Sequence, residues 1–418
     1  MKQNKIIIFS LLLFAICTNL NAQQTSVGGS VYSKFGIGDQ SPNLSYFNGL
    51  AGTSIAMPSP TSPNLINPAN LTNLRLTRFE TGYNFNQYNT SNQNSDVYQY
   101  NSNVNGIAVS MALDTTYGVS IAFGFNPYSS VGFSSKYSLK AIPDEEFSKT
   151  EGEMYSNGSG GLSQAYFGIS AKFYDVSIGI MPLYYFGEIN TREEALFNLP
   201  TSSESSYNSS RILTDNFSGL GFKLGIAYQV NDDLNLGFYF NPEAELEINR
   251  ELALNSSFLT KTTFDTTQNI ILPMSYGIGF SYKMGKYIVG ADFNSKQLSK
   301  LNYKTPEATN EFSDIWSITT GIIIEGSKLS SANAFQKTDL MFGLGYKPMY
   351  VNIDSGTMSD KFFSFGFSLP FGESALFNTS VLLGQRGLLG QYSVEEKYAK
   401  VVFSLSIGEQ WFKPFRTD

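Results

Sequence analysis

Three glutamates, Glu243, Glu245 and Glu247, alternate with apolar residues in one short stretch of the chain. Successive side chains of a β-strand point to opposite faces, so this spacing places the three carboxylates on one face. Such a group could bind a cation through its oxygens or repel an anionic substrate. The simpler interpretation is a solvated acidic rim that Arg250 partly neutralises, and we predict no metal site.

The sequence lacks the residues that most other catalytic and metal-binding sites require. The chain of 418 residues contains no histidine and one cysteine, Cys17. Ser-His-Asp catalysis, His-ligated zinc and the commonest general base are therefore excluded. We expect no enzyme and no cofactor. A formal net charge of −7 gives no support for nucleic-acid binding.

Residues 1–22 have the features of a secretory signal peptide. Two lysines precede an apolar run that ends at Ile16, and a small-residue cleavage site ends at Ala22. The run is too short to span a bilayer as a helix. Cleavage removes Cys17, whereas a lipoprotein would retain a cysteine; the bulky Ile16 before it argues against that alternative.

From Thr77 onwards, apolar side chains take every second position in one segment after another. In residues 363–369, for example, three phenylalanines and a leucine alternate with serine and glycine. Each such segment has one apolar face and one small or polar face. The pattern predicts fourteen strands, near 77–88, 103–113, 117–130, 162–173, 175–187, 215–230, 234–248, 271–284, 286–298, 314–325, 338–350, 361–371, 374–387 and 397–412.

An exported chain of alternating strands is typical of an outer-membrane β-barrel. Charged residues make up only 15% of the chain and aromatic residues another 15%, which fits a lipid-facing wall with aromatic girdles. We predict an all-β fold, namely a membrane-spanning antiparallel β-barrel of about 14 strands over residues 77–418. A soluble β-sandwich or jelly roll is the alternative.

The links between the predicted strands differ in length. Short links alternate with long polar links at 89–102, 131–161, 188–214, 249–270 and 299–313. Short periplasmic turns and long outer loops are usual in such barrels, and an even strand number places both termini in the periplasm. Residues 326–337 form an unusually long inner turn.

Residues 23–76 do not have the strand pattern. They are rich in Gly, Ser, Asn and Pro, with apolar residues such as Phe47, Leu50 and Leu71 at intervals. Such turn-forming composition favours irregular structure or short helices. We predict a folded plug, or hatch, inside the barrel; the alternative is a disordered tail.

Asn67-Pro68-Ala69 lies just before the first predicted strand. Pro68 fixes φ and has no N–H, while the side chain of Asn67 can bond to nearby backbone groups. On these properties alone the tripeptide could be an ordinary turn that caps a short helix.

The surroundings of this tripeptide are more informative. The stretch Phe47-Asn48-Gly49-Leu50-Ala51-Gly52-Thr53 comes about fifteen residues before it, and the predicted barrel follows. This arrangement resembles the FadL-type family of outer-membrane transporters for long-chain fatty acids and hydrocarbons. The layout matches over the whole mature chain, and the motif matches over residues 47–71. The resemblance implies a hatch with the motif Asn67, Pro68 and Ala69 inside a fourteen-stranded barrel.

A proline also interrupts the third predicted strand, in Phe123-Gly124-Phe125-Asn126-Pro127. Proline cannot donate to the ladder and is confined to edges, ends or bulges. In the resembled family a kink in this strand opens a lateral gap, which makes Gly124, Asn126 and Pro127 candidates for a kink and lateral gate. Alternatively, Pro127 merely ends the strand at the outer rim, as Pro242 ends the seventh strand after a similar sequence.

Two functions remain open. The resemblance implies passive uptake of small hydrophobic, long-chain fatty acid-like molecules across the outer membrane of a Gram-negative bacterium. The expected partners are then outer-membrane lipid and a hydrophobic small-molecule ligand. The alternative is a non-transporting barrel subunit of an outer-membrane secretion or barrel-assembly machine, with outer-membrane or periplasmic protein partners. Polar strand residues Lys172, Asp292, Asn294 and Lys296 are expected to face the lumen in either case.

Overall fold

The computed structural model describes residues 26–40, 45–93, 95–140, 151–198, 206–257, 259–303, 312–353, 356–371, 374–388, 394–409 and 411. The predicted signal peptide lies outside these residues. No helix in the described part of the chain is long and apolar enough to cross a membrane.

Strands dominate the described residues from Thr77 onwards. Three of them are each interrupted once, and both parts then carry one label. The strands are β1 (Thr77–Asn92), β2 (Asp96–Asp114), β3 (Val119–Pro127 and Ser129–Lys140), β4 (Glu151–Phe173), β5 (Val176–Asn198), β6 (Ser206–Gln229), β7 (Leu234–Asn241 and Ala244–Ser256), β8 (Leu259–Leu272 and Ser275–Met284), β9 (Tyr287–Lys296), β10 (Ile315–Ile324), β11 (Asp339–Ile353), β12 (Gly356–Phe371), β13 (Ala375–Arg386) and β14 (Val394–Glu409).

These strands close into one antiparallel barrel. Each pairs with the strand before it in the chain, and β14 pairs with β1 from Thr77↔Glu409 to Asn92↔Val394. Closure matters because an open edge would leave a row of backbone donors and acceptors without partners. The predicted all-β barrel of fourteen strands is confirmed for the described residues.

The strands at the long-loop end extend further than the sequence predicted. Much of the predicted loops 131–161, 188–214 and 249–270 is strand, since β5 runs to Asn198, β6 begins at Ser206 and β7 reaches Ser256. These extensions are rich in Ser, Thr and Asn. Polar residues at these positions hide the apolar alternation, although some inward-facing side chains such as Phe133 and Ile189 are buried.

The side chains divide between the two faces of the wall. Large apolar side chains such as Phe167, Ile178, Phe222 and Ile278 are exposed on the outside. An outer wall of this kind is suited to contact with lipid. Inward-facing residues, including Leu162 and Met181, instead pack with Leu65 and Leu71 of the N-terminal segment.

The N-terminal segment, residues 26–74, is largely irregular. Its regular pieces are the two-residue bridges Ser26–Val27 and Asp39–Gln40, the 3-10 helices Val31–Lys34 and Pro68–Asn73, and one α-helical turn, Ser45–Asn48. A further 3-10 turn, Leu298–Lys300, follows β9.

Candidate functional site

Hydrogen bonds join the N-terminal segment to strands on many sides of the barrel. Its contacts join Ser62 to Glu80 of β1 (3.0 Å), Thr72 to Ser177 of β5 (3.0 Å), Asn67 to Ile226 of β6 (3.1 Å), Ala56 to Ser281 of β8 (2.8 Å), Ser54 and Ile55 to Asp292 of β9 (2.6 and 2.9 Å), and Ala51 to Ser364 of β12 (2.6 Å). Glu80 also accepts a bond from Ser404 of β14 at 3.2 Å.

Asn67-Pro68-Ala69 lies at the centre of these contacts. Asn67 is fully buried, and its Oδ1 accepts the backbone N–H of Ala69 at 3.1 Å, capping the 3-10 helix that Pro68 begins. Its Nδ2 donates to the carbonyls of Ile55 (2.8 Å) and Ile226 (3.1 Å). One side chain thus caps the helix, holds the segment together and fixes it to the wall.

Glycines in the wall make this close packing possible. Opposite the tripeptide stand Gly179 on β5 and Gly225 on β6. A Cβ on Gly179 would lie 2.5 Å from the carbonyl oxygen of Pro68, and one on Gly225 would overlap Oδ1 of Asn67. The backbone of the segment therefore lies directly on the backbone of the wall.

The third strand is interrupted between Pro127 and Ser129. Gly124 must be glycine, because a Cβ there would overlap the carbonyl oxygen of Ile107 on β2. Asn126 is buried and accepts a bond from Gln164 of β4 at 3.2 Å. Pro127 ends the first half of β3, but the strand resumes at Ser129.

The interruption reverses the faces of β3. Phe123 and Phe125 are exposed on the outer wall, whereas Val131 and Phe133, also at odd positions, are buried inside. Pairing with β4 continues on both sides of the break, from Pro127↔Ser163 to Val131↔Gly160. Pairing of β3 with β2 does not continue beyond the break, because its last pair is Ile107↔Phe125.

A gap in the wall results. In the described residues, the second half of β3 (Ser129–Lys140) has no ladder with β2, so the first part of β2 faces it across the gap. Residues Ser26–Ser33 of the N-terminal segment lie in this gap, with Ser26 and Val27 paired in parallel to Gln99 and Tyr100 of β2.

A cavity of about 330 Å³ lies between the segment and the wall. Its lining is mixed: tyrosines and apolar side chains such as Phe362 and Leu382 lie beside several asparagines and five cationic side chains, with no carboxylate among the described residues. The cationic side chains are Lys223, Lys296, Lys347, Arg386 and Lys400. Lys223 donates to the carbonyl of Leu65, and Lys296 donates to the hydroxyl of Tyr128, the residue at the break in β3.

The predicted acidic rim is arranged differently from expectation. Glu243 pairs with Lys300 at 2.7 Å, and Glu245 accepts a bond from Asn269 at 2.7 Å. Arg250 does not neutralise them, because it forms a bidentate pair with Asp215 at 2.7 and 2.8 Å. Among the described residues no group of three or more potential ligands is placed to hold a metal ion.

Sequence reasoning missed a buried ionic group that joins the segment to three strands. Arg386 of β13 contacts Asp360 of β12 (3.1 Å) and Glu396 of β14 (3.0 Å), and it donates to Oγ of Ser30 at 2.7 Å. Ser30 in turn donates to Glu396 at 2.8 Å. No local pattern could reveal this group, because Ser30 and Glu396 lie 366 residues apart.

A family model described as BamG matches residues 2–418. No curated protein matches the sequence.

Solved structures match over most of the chain. The toluene transporter TodX of P. putida aligns with a TM-score of 0.62 and 16% identity over 90% of this chain and 100% of TodX. The toluene transporter TbuX of Ralstonia pickettii aligns with a TM-score of 0.58 and 13% identity over 88% and 98%. A Pseudomonas aeruginosa FadL homologue gives 0.59 and 10% over 90% and 100%. The resemblance to FadL-type transporters is confirmed at the level of the fold.

Proposed function

Because the chain belongs to the BamG family and has the fold of hydrocarbon transporters, we propose that it is an outer-membrane channel for passive uptake of small hydrophobic molecules. Long-chain fatty acids and monoaromatic hydrocarbons are the ligand classes to test. The observation that carries the proposal is a closed barrel whose wall is interrupted beside an internal cavity of about 330 Å³. The apolar outer wall suits the outer membrane of a Gram-negative bacterium.

The proposed path has three parts. A ligand enters from the long-loop end and occupies the cavity. The N-terminal segment, within residues 23–76, acts as the hatch, and Asn67, Pro68 and Ala69 fix its position on the wall. The ligand then leaves near Gly124, Asn126 and Pro127, where β3 separates from β2. Passive movement needs only affinities that are weak enough for release.

A non-transporting role in a secretion or barrel-assembly machine is the second candidate. Two observations favour it. The segment is bonded to strands around the barrel and occupies the gap in the wall. Five cationic side chains line the cavity, although a hydrocarbon needs few polar groups. In this role the segment is a static seal and protein partners bind outside the lumen.

One experiment separates the two functions. The protein is purified at its native expression level in mild detergent, and mass spectrometry identifies co-purifying proteins and extracted small molecules. Fatty acids or hydrocarbons without stoichiometric protein partners support the channel. A stoichiometric set of membrane or periplasmic proteins without an apolar ligand rejects the channel in favour of the machine subunit.

A further inference from the structure

The outer wall of the barrel has a hollow of about 750 Å³ across strands β10 to β14. Large apolar side chains supply much of its lining, among them Leu344, Phe363 and Leu383. All three are exposed on the outer face of the wall. The hollow therefore lies outside the barrel, whereas the cavity of about 330 Å³ lies inside it.

Small residues leave room for this hollow. Thr320 lines it and is the smallest outward-facing residue of β10, where the others are Trp316, Ile318, Ile322 and Ile324. Gly345 and Gly384 also line it, and a Cβ on either glycine would overlap the ring of Phe362 or Tyr398, respectively. The floor of the hollow is therefore backbone, with aromatic rings packed behind it.

A polar row borders the hollow towards the long-loop end. The ladder pairs Tyr346 with Lys361, Lys361 with Gln385, and Gln385 with Lys397, so these residues stand at one level on four adjacent strands. Both lysines are exposed and line the hollow. Because they are two strands apart, their backbones are about 10 Å apart. The next outward-facing row towards the short-turn end is apolar and consists of Leu344, Phe363, Leu383 and Ala399.

This polar row lies at the edge of the apolar band. Lys361 comes ten residues before Phe371, the last residue of β12, and the outward-facing residues between them are Phe363, Phe365, Phe367 and Leu369. Ten residues of a strand tilted by about 40° rise about 25 Å, the height of the lipid-facing band of such a barrel. The rings of Trp316 and Tyr346 lie 5.4 Å apart beside the row. Trp and Tyr are typical of the membrane–water interface, so the two lysines lie at the level of lipid headgroups.

The sign of the charge on the outer face differs around the barrel. Lys397 pairs with Glu395 at 2.9 Å, whereas Lys361 has no carboxylate partner among the described residues. At the long-loop end of β7, by contrast, the exposed outward-facing side chains include Glu245 and Glu247. An anionic headgroup is therefore attracted to the side of the barrel formed by β12 to β14 and repelled from β7.

We propose that the hollow binds one phosphorylated glycolipid of the outer leaflet. An acyl chain lies on Leu344, Phe363 and Leu383, and a phosphate group lies between Lys361 and Lys397. A phosphate monoester carries a charge of about −1.5 to −2 near neutral pH, which matches two lysines. Glycolipids of this kind form the outer leaflet of a Gram-negative outer membrane. The site rests on the outer-membrane location proposed above, with the long loops outside, and does not depend on transport.

The phosphate contact can be tested by titrating the purified protein in detergent with monophosphorylated lipid A and counting bound lipids by native mass spectrometry. Lys361→Gln should weaken binding about tenfold, because it removes a charged contact. Lys397→Gln should weaken it about threefold, since Glu395 already neutralises part of that charge. Lys286→Gln is the matched control, because Lys286 is also exposed beside an aromatic ring, that of Tyr287, but at the short-turn end. Equal affinities in Lys361→Gln and Lys286→Gln would overturn the site.

Changes to the lipid test the same contact without altering the protein. Dephosphorylated lipid A should bind the unmodified protein about tenfold more weakly, and Lys361→Gln should weaken its binding no further. A loss in Lys361→Gln that persists without the phosphate would overturn the assigned contact. Phosphatidylglycerol, whose phosphodiester carries one negative charge, should bind more weakly than lipid A. Equal binding of the two lipids would overturn the glycolipid as the occupant.

Filling the hollow tests the seat of the acyl chain. Thr320→Trp should weaken binding of lipid A about tenfold, which corresponds to the loss of about two buried CH₂ groups. Val381→Trp is the control, because Val381 pairs with the exposed Phe365 on the same outer face but does not line the hollow. Migration of the unheated protein on a denaturing gel checks that each variant is folded. Parental affinity in folded Thr320→Trp would contradict the assigned seat.

The outcomes separate this site from the proposed function. If binding of lipid A is unchanged in Lys361→Gln and Thr320→Trp while hydrocarbons co-purify with the protein, the lipid site is wrong and the channel stands. If lipid A binds as expected and stoichiometric protein partners co-purify without an apolar ligand, the lipid site stands and the transport function fails.

Discussion

The same local sequence interrupts two strands of this barrel with different results. Phe-x-Phe-Asn-Pro ends the first half of β3 at Pro127 and precedes the break in β7 at Pro242. In β7 the neighbouring strand breaks at the same level, beside Pro273, and pairing resumes from Asn241↔Ser275 to Ala244↔Leu272. In β3, pairing with β2 stops.

The difference shows that proline alone does not open a barrel wall. Strands β7 and β8 are both interrupted at the same level, so their pairing resumes beyond the breaks. At β3 only one neighbour, β4, follows the break, and two of its glycines, Gly160 and Gly161, have positive φ there. A lateral gap needs a mismatch between an interrupted strand and its neighbour, together with something that satisfies the exposed backbone.

The largest effect is expected at Gly124, where a side chain on β3 would overlap the backbone of β2. Gly124→Val should destabilise the barrel by about 3 kcal/mol, because its Cβ would overlap the Ile107 carbonyl oxygen and lie 2.8 Å from the hydroxyl of Tyr166. Urea unfolding in micelles measures this. Gly132→Ala, which has only ordinary contacts, is the control, and equal losses in the two variants would contradict the close-approach argument.

An intermediate effect distinguishes the two asparagines that precede the prolines. Asn126→Ala should cost about 1–3 kcal/mol, because the buried Nε2 of Gln164 loses its acceptor. Asn241→Ala should cost about 1 kcal/mol, since Asn241 makes one bond to the half-buried Ser275. The same unfolding measurement compares the pair. A larger loss of stability in Asn241→Ala than in Asn126→Ala would show that the matched breaks of β7 and β8 are more strained than the break in β3.

The smallest effect is expected from the proline itself. Pro127→Ala should change the free energy of unfolding by no more than about 1 kcal/mol, because the first part of β2 has no ladder with β3 to complete. Pro242→Ala is the matched variant. A much larger change of stability in Pro127→Ala than in Pro242→Ala would mean that proline, and not the mismatch of neighbours, keeps the gap.

The fourteen strands could be predicted because their outer and inner faces differ in chemistry, as in residues 363–369, where the phenylalanines are exposed and the serines are buried. The break at Pro127 was also visible, since a missing N–H is a local property. The continuation of β3 to Lys140 was not predicted, although Val131, Phe133, Tyr137 and Leu139 take alternate positions, because Ser135 interrupts their alternation.

Nothing in the sequence indicated the gap between β2 and β3 or the residues Ser26–Ser33 that lie in it. Gly28 and Gly29 bond through their backbones and have no side chains, so the sequence carries no information about their partners. Ser30 meets Arg386 only because β13 and β14 return beside the start of the chain. Contacts of this kind depend on closure of the ring, which no local pattern encodes.

The hydrogen bonds of Glu80 bear on the order in which the N-terminal segment and the barrel seam form. Its buried carboxylate receives Ser62 from the N-terminal segment and Ser404 from the last strand, at the seam where the two ends of the barrel meet. A ring that closed around an empty lumen would bury this charge with half of its donors missing. Seating of the segment and completion of the seam are therefore coupled, so the polypeptide made first prepares the place for the strand made last.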